Sequence, residues 1–132
     1  MKRALTLLEL LIVLVIVTIL STLALTQFGR QREGAVEKEA QANLKLILAA
    51  ERVMRMETGS FVNCTDAAAC NNALKLSLPL APPNGTGYWE YKVTNANSAD
   101  FRGKARRVNE AAKCWGINIS LEEPRTSDCW GW

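Results

Sequence analysis

The sequence predicts an α+β fold. A long N-terminal helix, membrane-inserted over its first half, packs by its second half on a small antiparallel β-sheet, and a disulfide clips the C-terminal loop. Three observations carry this expectation. Residues 10–29 form an uncharged run of 20 positions. A proline-free amphipathic pattern follows it, and three strand-like segments separated by turn chemistry close the chain, with four cysteines distributed before and around them.

Composition excludes several functional classes before any motif is considered. The 132 residues suit one small domain, and 16 basic against 13 acidic side chains leave a net charge of +3, too little to imply a nucleic-acid partner by itself. The chain has no histidine. No Ser-His or Cys-His nucleophile pair can therefore be built, and a metal site would have to use cysteine or oxygen ligands. With no CxxC pair and no phosphate-binding loop, the expectation is a protein that is not an enzyme and needs no metal or cofactor.

The averages hide two materials. Over residues 4–28, 18 of 25 side chains are hydrophobic; over 29–132 the count is 45 of 104, which suits a soluble domain. At 1.5 Å per residue, 20 uncharged positions make about 30 Å of helix, the thickness of a bilayer's hydrocarbon core. A secretory signal peptide carries a shorter apolar region of roughly 7 to 15 residues and then small residues at a cleavage site. Here the run continues into Gln27, Phe28, Gly29 and Arg30 without such a site. Lys2 and Arg3 precede the run and place Met1 in the cytoplasm by the positive-inside rule, although Arg30 and Arg32 oppose that bias.

Glu9 stands among leucines at the head of this run. A carboxylate at membrane depth costs about 2.5 to 3.5 kcal/mol at the bilayer centre and less towards the interface. By position alone it either marks the edge of the span or pairs with a cation inside an assembly. A basic leader, Met1 to Ala4, followed by LTLLELLIVLVIVTIL, resembles the N-terminus of the type IV pilin family and its relatives, the pseudopilins of type II secretion. The resemblance covers about the first 30 residues closely and the rest only in layout. It implies that a membrane-embedded prepilin peptidase cuts between Ala4 and Leu5 and methylates the new amine of Leu5. It also implies that Glu9 neutralises that amine on a neighbouring subunit, setting register as copies assemble. Leu5 and Glu9 are four residues apart and share a helix face. The chain departs from the family pattern in carrying Ala4 where glycine is usual and Leu5 where phenylalanine is usual. Thr18 and Thr26 stand where many members have a helix-loosening glycine and proline.

Beyond the run, Val36, Ala40, Leu44, Ile47 or Leu48, and then Val53 and Met54 recur at helical spacing. Glu33, Glu37, Lys38, Lys45, Arg52 and Arg55 read as the opposite face, with Glu51 and Arg55 as a favourable i,i+4 pair. Thr58, Gly59 and Ser60 end the helix. Residues 61–87 read as a loop in which Thr65 or Asp66 caps a short helical turn, and PLAPPNGTG is turn chemistry. Segments 87–95, 100–108 and 113–122 read as antiparallel strands. The organisation expected is a leader at 1–4, a transmembrane and assembly half-helix at 5–29, and a head at 30–132 that includes the rest of the helix.

Four cysteines in a part expected outside the cytoplasm argue for two disulfides among three connectivities. The local pairs, Cys64 with Cys70 and Cys114 with Cys129, are favoured because each lies in one segment, and the second clips the C-terminal tail as a pilin-like loop often is clipped. Trp89 and Trp115 read as strand packing. Arg102, Lys104 and Arg106 alternate along one strand face, with Arg107 and Lys113 near, and together with Trp130 and Trp132 they are the candidate surface contacts. A solvated sheet face or guarded edge explains the cations better than a DNA-contacting stripe, because no aromatic residues interleave them. Asn63, Asn84 and Asn118 match a glycosylation acceptor pattern that short sequences also produce by chance.

The sequence thus suggests a filament subunit of the type IV pilus: a precursor in the bacterial inner membrane, surrounded by lipid, then part of a homo-oligomeric helical filament on the cell surface. The partners implied are the prepilin peptidase and the inner-membrane pilus assembly machinery. A type II secretion pseudopilin is the alternative; four cysteines and no acidic calcium-binding loop near the C-terminus favour the pilin. A single-pass anchored binding domain is the second alternative, and Glu9 separates it from the others, because a plain anchor has no use for that carboxylate.

Overall fold

A computed structural model describes residues 6–129. Helix α1 runs Leu7–Thr58, followed by α2 at Ala67–Leu74, strands β1 at Trp89–Thr94, β2 at Arg102–Arg107 and β3 at Glu110–Asn118, and a 3-10 turn at Thr126–Asp128. The chain divides after Val36 into two compact units. Among the described residues the first is the α1 helix and the Thr6 that precedes it. The second, from Glu37, holds the rest of α1, the sheet and both disulfides.

The sheet is antiparallel in the order β1-β2-β3. Alternation sets its faces: in β1, Trp89, Tyr91 and Val93 point inward and are fully buried. Tyr91 and Val93 lie opposite Ala105 and Gly103, and Gly103 in turn lies opposite Ile117. Small residues on the central strand let α1 approach. A Cβ added at Gly103 would sit 3.0 Å from Ile117 Cγ2 and 3.7 Å from Ile47 Cγ2, so glycine makes room between helix and strand. Ala40, Leu44, Ile47 and Leu48 supply the helix side of the core, and Phe61 and Phe101 close one end with ring centroids 4.9 Å apart. Asn43 Nδ2 donates to the buried Tyr91 hydroxyl at 2.8 Å, so the phenol enters the core with a partner. Burial raises the Tyr91 pKa well above the ordinary tyrosine value.

The structure corrects the reading of α1 in its last turns. The buried stripe leads to Glu51, four residues after Ile47, whereas Val53 is exposed and Met54 only half-buried. Glu51 is not on a solvent face paired with Arg55. Its Oε2 accepts a hydrogen bond from Val62 N at 2.9 Å, and the Arg55 guanidinium lies 5.1 Å from the Phe61 ring centroid. The chain leaving α1 carries a backbone N–H into the interior, and a carboxylate on the core stripe satisfies it. Strand β3 also starts at Glu110, three residues before the expected 113, because a register shift between Arg106 and Arg107 lets the hairpin through Asn109 pair early. Asn109 takes φ 67°, a turn conformation that asparagine tolerates.

Asp66 caps α2: its Oδ1 accepts from Ala69 N at 2.9 Å, which holds the carboxyl below its ordinary pKa. Cys70 on that helix is bonded to Cys64, Cα–Cα 5.0 Å, and Cys64 pairs through its backbone with Val93. This bond therefore ties α2 to the open edge of β1. Cys114 is bonded to Cys129, Cα–Cα 5.9 Å, and Arg125 pairs with Gly116 beside β3, so the tail is held along the opposite edge. Replacing Cys64 and Cys70 together by serine is expected to lower head stability by about 2 kcal/mol, since the closed loop is short. Thermal melting of the full chain in detergent measures the loss.

Candidate assembly surface

The first unit presents a bare apolar helix. From Leu7 to Leu20 its large hydrophobic side chains are 46–85% exposed. The apolar window of α1 has none of its residues buried, and it is long and apolar enough to cross a membrane. Polar side chains inside it bond to the helix itself: Thr18 Oγ1 donates to Val15 O at 2.7 Å, Ser21 Oγ to Val17 O at 2.7 Å and Thr22 Oγ1 to Ile19 O at 2.8 Å. These hydroxyls present no unpaired donor to hydrocarbon.

Glu9 occupies the first turn of α1. Its N–H faces Thr6, 3.3 Å from the hydroxyl and 3.1 Å from the carbonyl, so Thr6 caps the helix and Glu9 stands three residues on. Thr-x-x-Glu is the capping-box spacing. It is legible in the sequence, and it gives Glu9 a local use at the positive end of the helix dipole in addition to any partner in an assembly. Ala4, Leu5, Trp130 and Trp132 lie outside the described residues.

Register places Arg102, Lys104 and Arg106 on one sheet face, opposite Thr94, Lys92 and Glu90. That face is not uniformly solvated, contrary to expectation. Lys104 is buried, and burial, with Lys92 and Arg102 close by, pulls its pKa down. Arg106 places Nη2 at 2.8 Å and Nε at 3.2 Å from Glu90 Oε2. Arg107 turns to the rings of Tyr88 and Trp89, 5.4 and 5.5 Å from their centroids, and Lys113 pairs with Glu110 at 2.9 Å. These cations are engaged within the head, which a strand-alternation argument cannot reveal. Of the three sequon asparagines, Asn63 and Asn118 are used locally: Asn63 Oδ1 accepts from Ala96 N, and Asn118 Oδ1 from Ser120 and Leu121. Among the described residues no cluster of three metal-binding side chains is found, and none of the cysteines is free.

No protein-family model matches the chain, and no curated protein or solved structure matches it.

Proposed function

We propose that this protein is a structural subunit of a type IV pilus-like filament. The observation that carries the reading is the juxtaposition at the head of α1: one carboxylate, Glu9, directly before 20 uncharged residues, of which the large hydrophobic side chains from Leu10 to Leu20 are all exposed. In lipid that helix is stable as an anchor. Withdrawn from lipid, it needs an apolar partner, and identical copies supply one. The precursor sits in the bacterial inner membrane, prepilin peptidase cuts between Ala4 and Leu5, and the assembly machinery stacks the mature chains by their helices. Glu9 then neutralises the amine of Leu5 on a neighbour, the registry role for which buried ion pairs are best attested. The two disulfides protect a head displayed outside the cell.

Shearing surface filaments from cells and measuring the subunit mass tests this directly. The expected result is an abundant chain beginning at methylated Leu5. A chain absent from every sheared filament, retained uncut in the membrane, overturns the reading in favour of an anchored domain.

A further inference from the structure

Three acceptor patterns for an N-linked sugar stand in this chain, and the fold separates them. In Asn63-Cys64-Thr65 the middle residue is buried and bonded to Cys70. It also exchanges both backbone hydrogen bonds with Val93, Cys64 N to Val93 O at 3.1 Å and Val93 N to Cys64 O at 2.9 Å. In Asn118-Ile119-Ser120, Asn118 is paired with Arg102 in the sheet, and its Oδ1 accepts from the Ser120 hydroxyl at 2.7 Å, so the two side chains that the pattern needs are spent on each other. Neither segment can leave its place without breaking hydrogen bonds. Asn84-Gly85-Thr86 differs. It lies in the loop before β1, Asn84 and Thr86 are exposed, and among the described residues none of the three makes a hydrogen bond. Gly87 N donates to Leu80 O at 2.9 Å and closes the loop behind them. A Cβ at Gly85 would collide with that same Leu80 carbonyl, so glycine lets the chain fold back on Leu80 while Asn84 and Thr86 stay at the surface.

We propose that Asn84 is the attachment point of an N-linked glycan; the inference rests on the outward-facing head of the filament reading and adds a modification to it. The donor is an oligosaccharide carried on a lipid pyrophosphate at the outer side of the inner membrane, and the partner is a membrane-bound glycosyltransferase. Asn84 Nδ2 attacks the anomeric carbon of the first sugar. A C–N bond forms, the bond from that carbon to the pyrophosphate oxygen breaks, the lipid pyrophosphate leaves, and Nδ2 gives up one proton. The Thr86 hydroxyl completes the pattern that such an enzyme reads. The enzyme also has to fit the acceptor segment into its own groove, and an exposed loop tip held by no hydrogen bonds of its own reshapes at the least cost. The fold leaves room for the product. Asn84 lines a cleft of about 310 Å³ together with Asp66, Ala81, Pro82, Glu90 and Arg106. This lining suits a sugar: the carboxylates accept from hydroxyls, the guanidinium donates to them, and Ala81 and Pro82 offer apolar contact to the carbon face of the ring.

Intact-mass measurement and peptide mapping of the full chain, taken from the membranes and from the sheared filaments of the cells that make it, test the proposal. The expected result is a chain heavier than its processed sequence by one glycan, carried on the peptide that holds Asn84. The added mass is expected to vanish in Asn84→Gln and in Thr86→Ala, and to persist in Thr86→Ser, Asn63→Gln and Asn118→Gln. Chain levels by immunoblot are expected to be equal in Asn84→Gln and the parent, because the Asn84 side chain bonds to nothing in the head. An unmodified Asn84 peptide in chains recovered from filaments overturns the proposal, as does a glycan on Asn63 or Asn118 alone, or added mass that survives Asn84→Gln. A glycan at Asn84 on chains found only in the membrane overturns the filament reading and leaves this one standing. An unmodified Asn84 on a chain found in no filament overturns both.

Discussion

Glu9→Leu is expected to insert into the membrane, form both disulfides and yield no filament. On the proposed pairing of Glu9 with the amine of a neighbouring copy, the loss follows from leaving one partner of a buried charge pair alone. Removing the carboxylate strands the Leu5 amine of a neighbour among apolar side chains, at about 3–5 kcal/mol per contact. At about 1.4 kcal/mol per factor of ten, each contact weakens by two to three and a half orders of magnitude, and every subunit in a filament makes one. Glu9→Gln separates this role from the capping one. Glutamine serves as well as glutamate at the third position of a capping box, so the Thr6 cap on α1 persists in that variant. If the charge matters, Glu9→Gln fails to assemble nearly as completely as Glu9→Leu, with equal membrane levels of both chains by immunoblot. Filaments from Glu9→Gln at the parental level would reduce Glu9 to a helix cap.

The parts of this protein that were legible in advance are those written in local pattern. The long helix followed from an uncharged run, the absence of proline before Pro79 and a stop at Thr58 and Gly59. Three strands followed from alternation and turn residues, and a cap at Thr65 or Asp66 from its place before three alanines, of which Asp66 is the one used. What local pattern hid was the use each polar residue finds across the fold. Glu51 reads as half of a surface ion pair because Arg55 stands one turn on, yet its partner is the backbone of Val62, fixed only by how the chain returns to the helix. Lys104 reads as solvated because it alternates with arginines, and its burial depends on what covers that face of the sheet. Periodicity assigned one apolar stripe to the second half of α1 and ran it into Val53. Val53 is exposed, so the core stripe does not reach it. For the proposed assembly site, Glu9 and the uncharged run are visible from charge alone, and the Thr6 cap is spelled in the Thr-x-x-Glu spacing.

Glu51 gives the largest stability effect expected within the head. The residue is fully buried at the core end of α1, its Oε2 takes the Val62 N–H, and its Oε1 is buried without a hydrogen-bond partner. Glu51→Ala removes the acceptor of the Val62 N–H and leaves a space at a fully buried position, and it is expected to cost about 2–5 kcal/mol, or at least about 8 °C in Tm for a head of this size. Glu51→Gln is expected to behave oppositely at neutral pH. It keeps an oxygen for Val62 N and removes a charge that burial opposes. Burial, only partly offset by the Val62 hydrogen bond, raises the Glu51 pKa above its ordinary value of 4.5. The folded state therefore binds this proton more tightly than the unfolded chain does. The stability it contributes is full below pH 4.5 and is lost as pH rises through the folded-state pKa. The glutamine variant has no such dependence. Melting both full-length chains in detergent from pH 4 to pH 8 is expected to show Glu51→Gln gaining on the parent as pH rises and levelling once the parent carboxyl is ionised. Parallel melting curves across that range would mean that Glu51 titrates alike in folded and unfolded chains, and that its place in the core is not the desolvated one described.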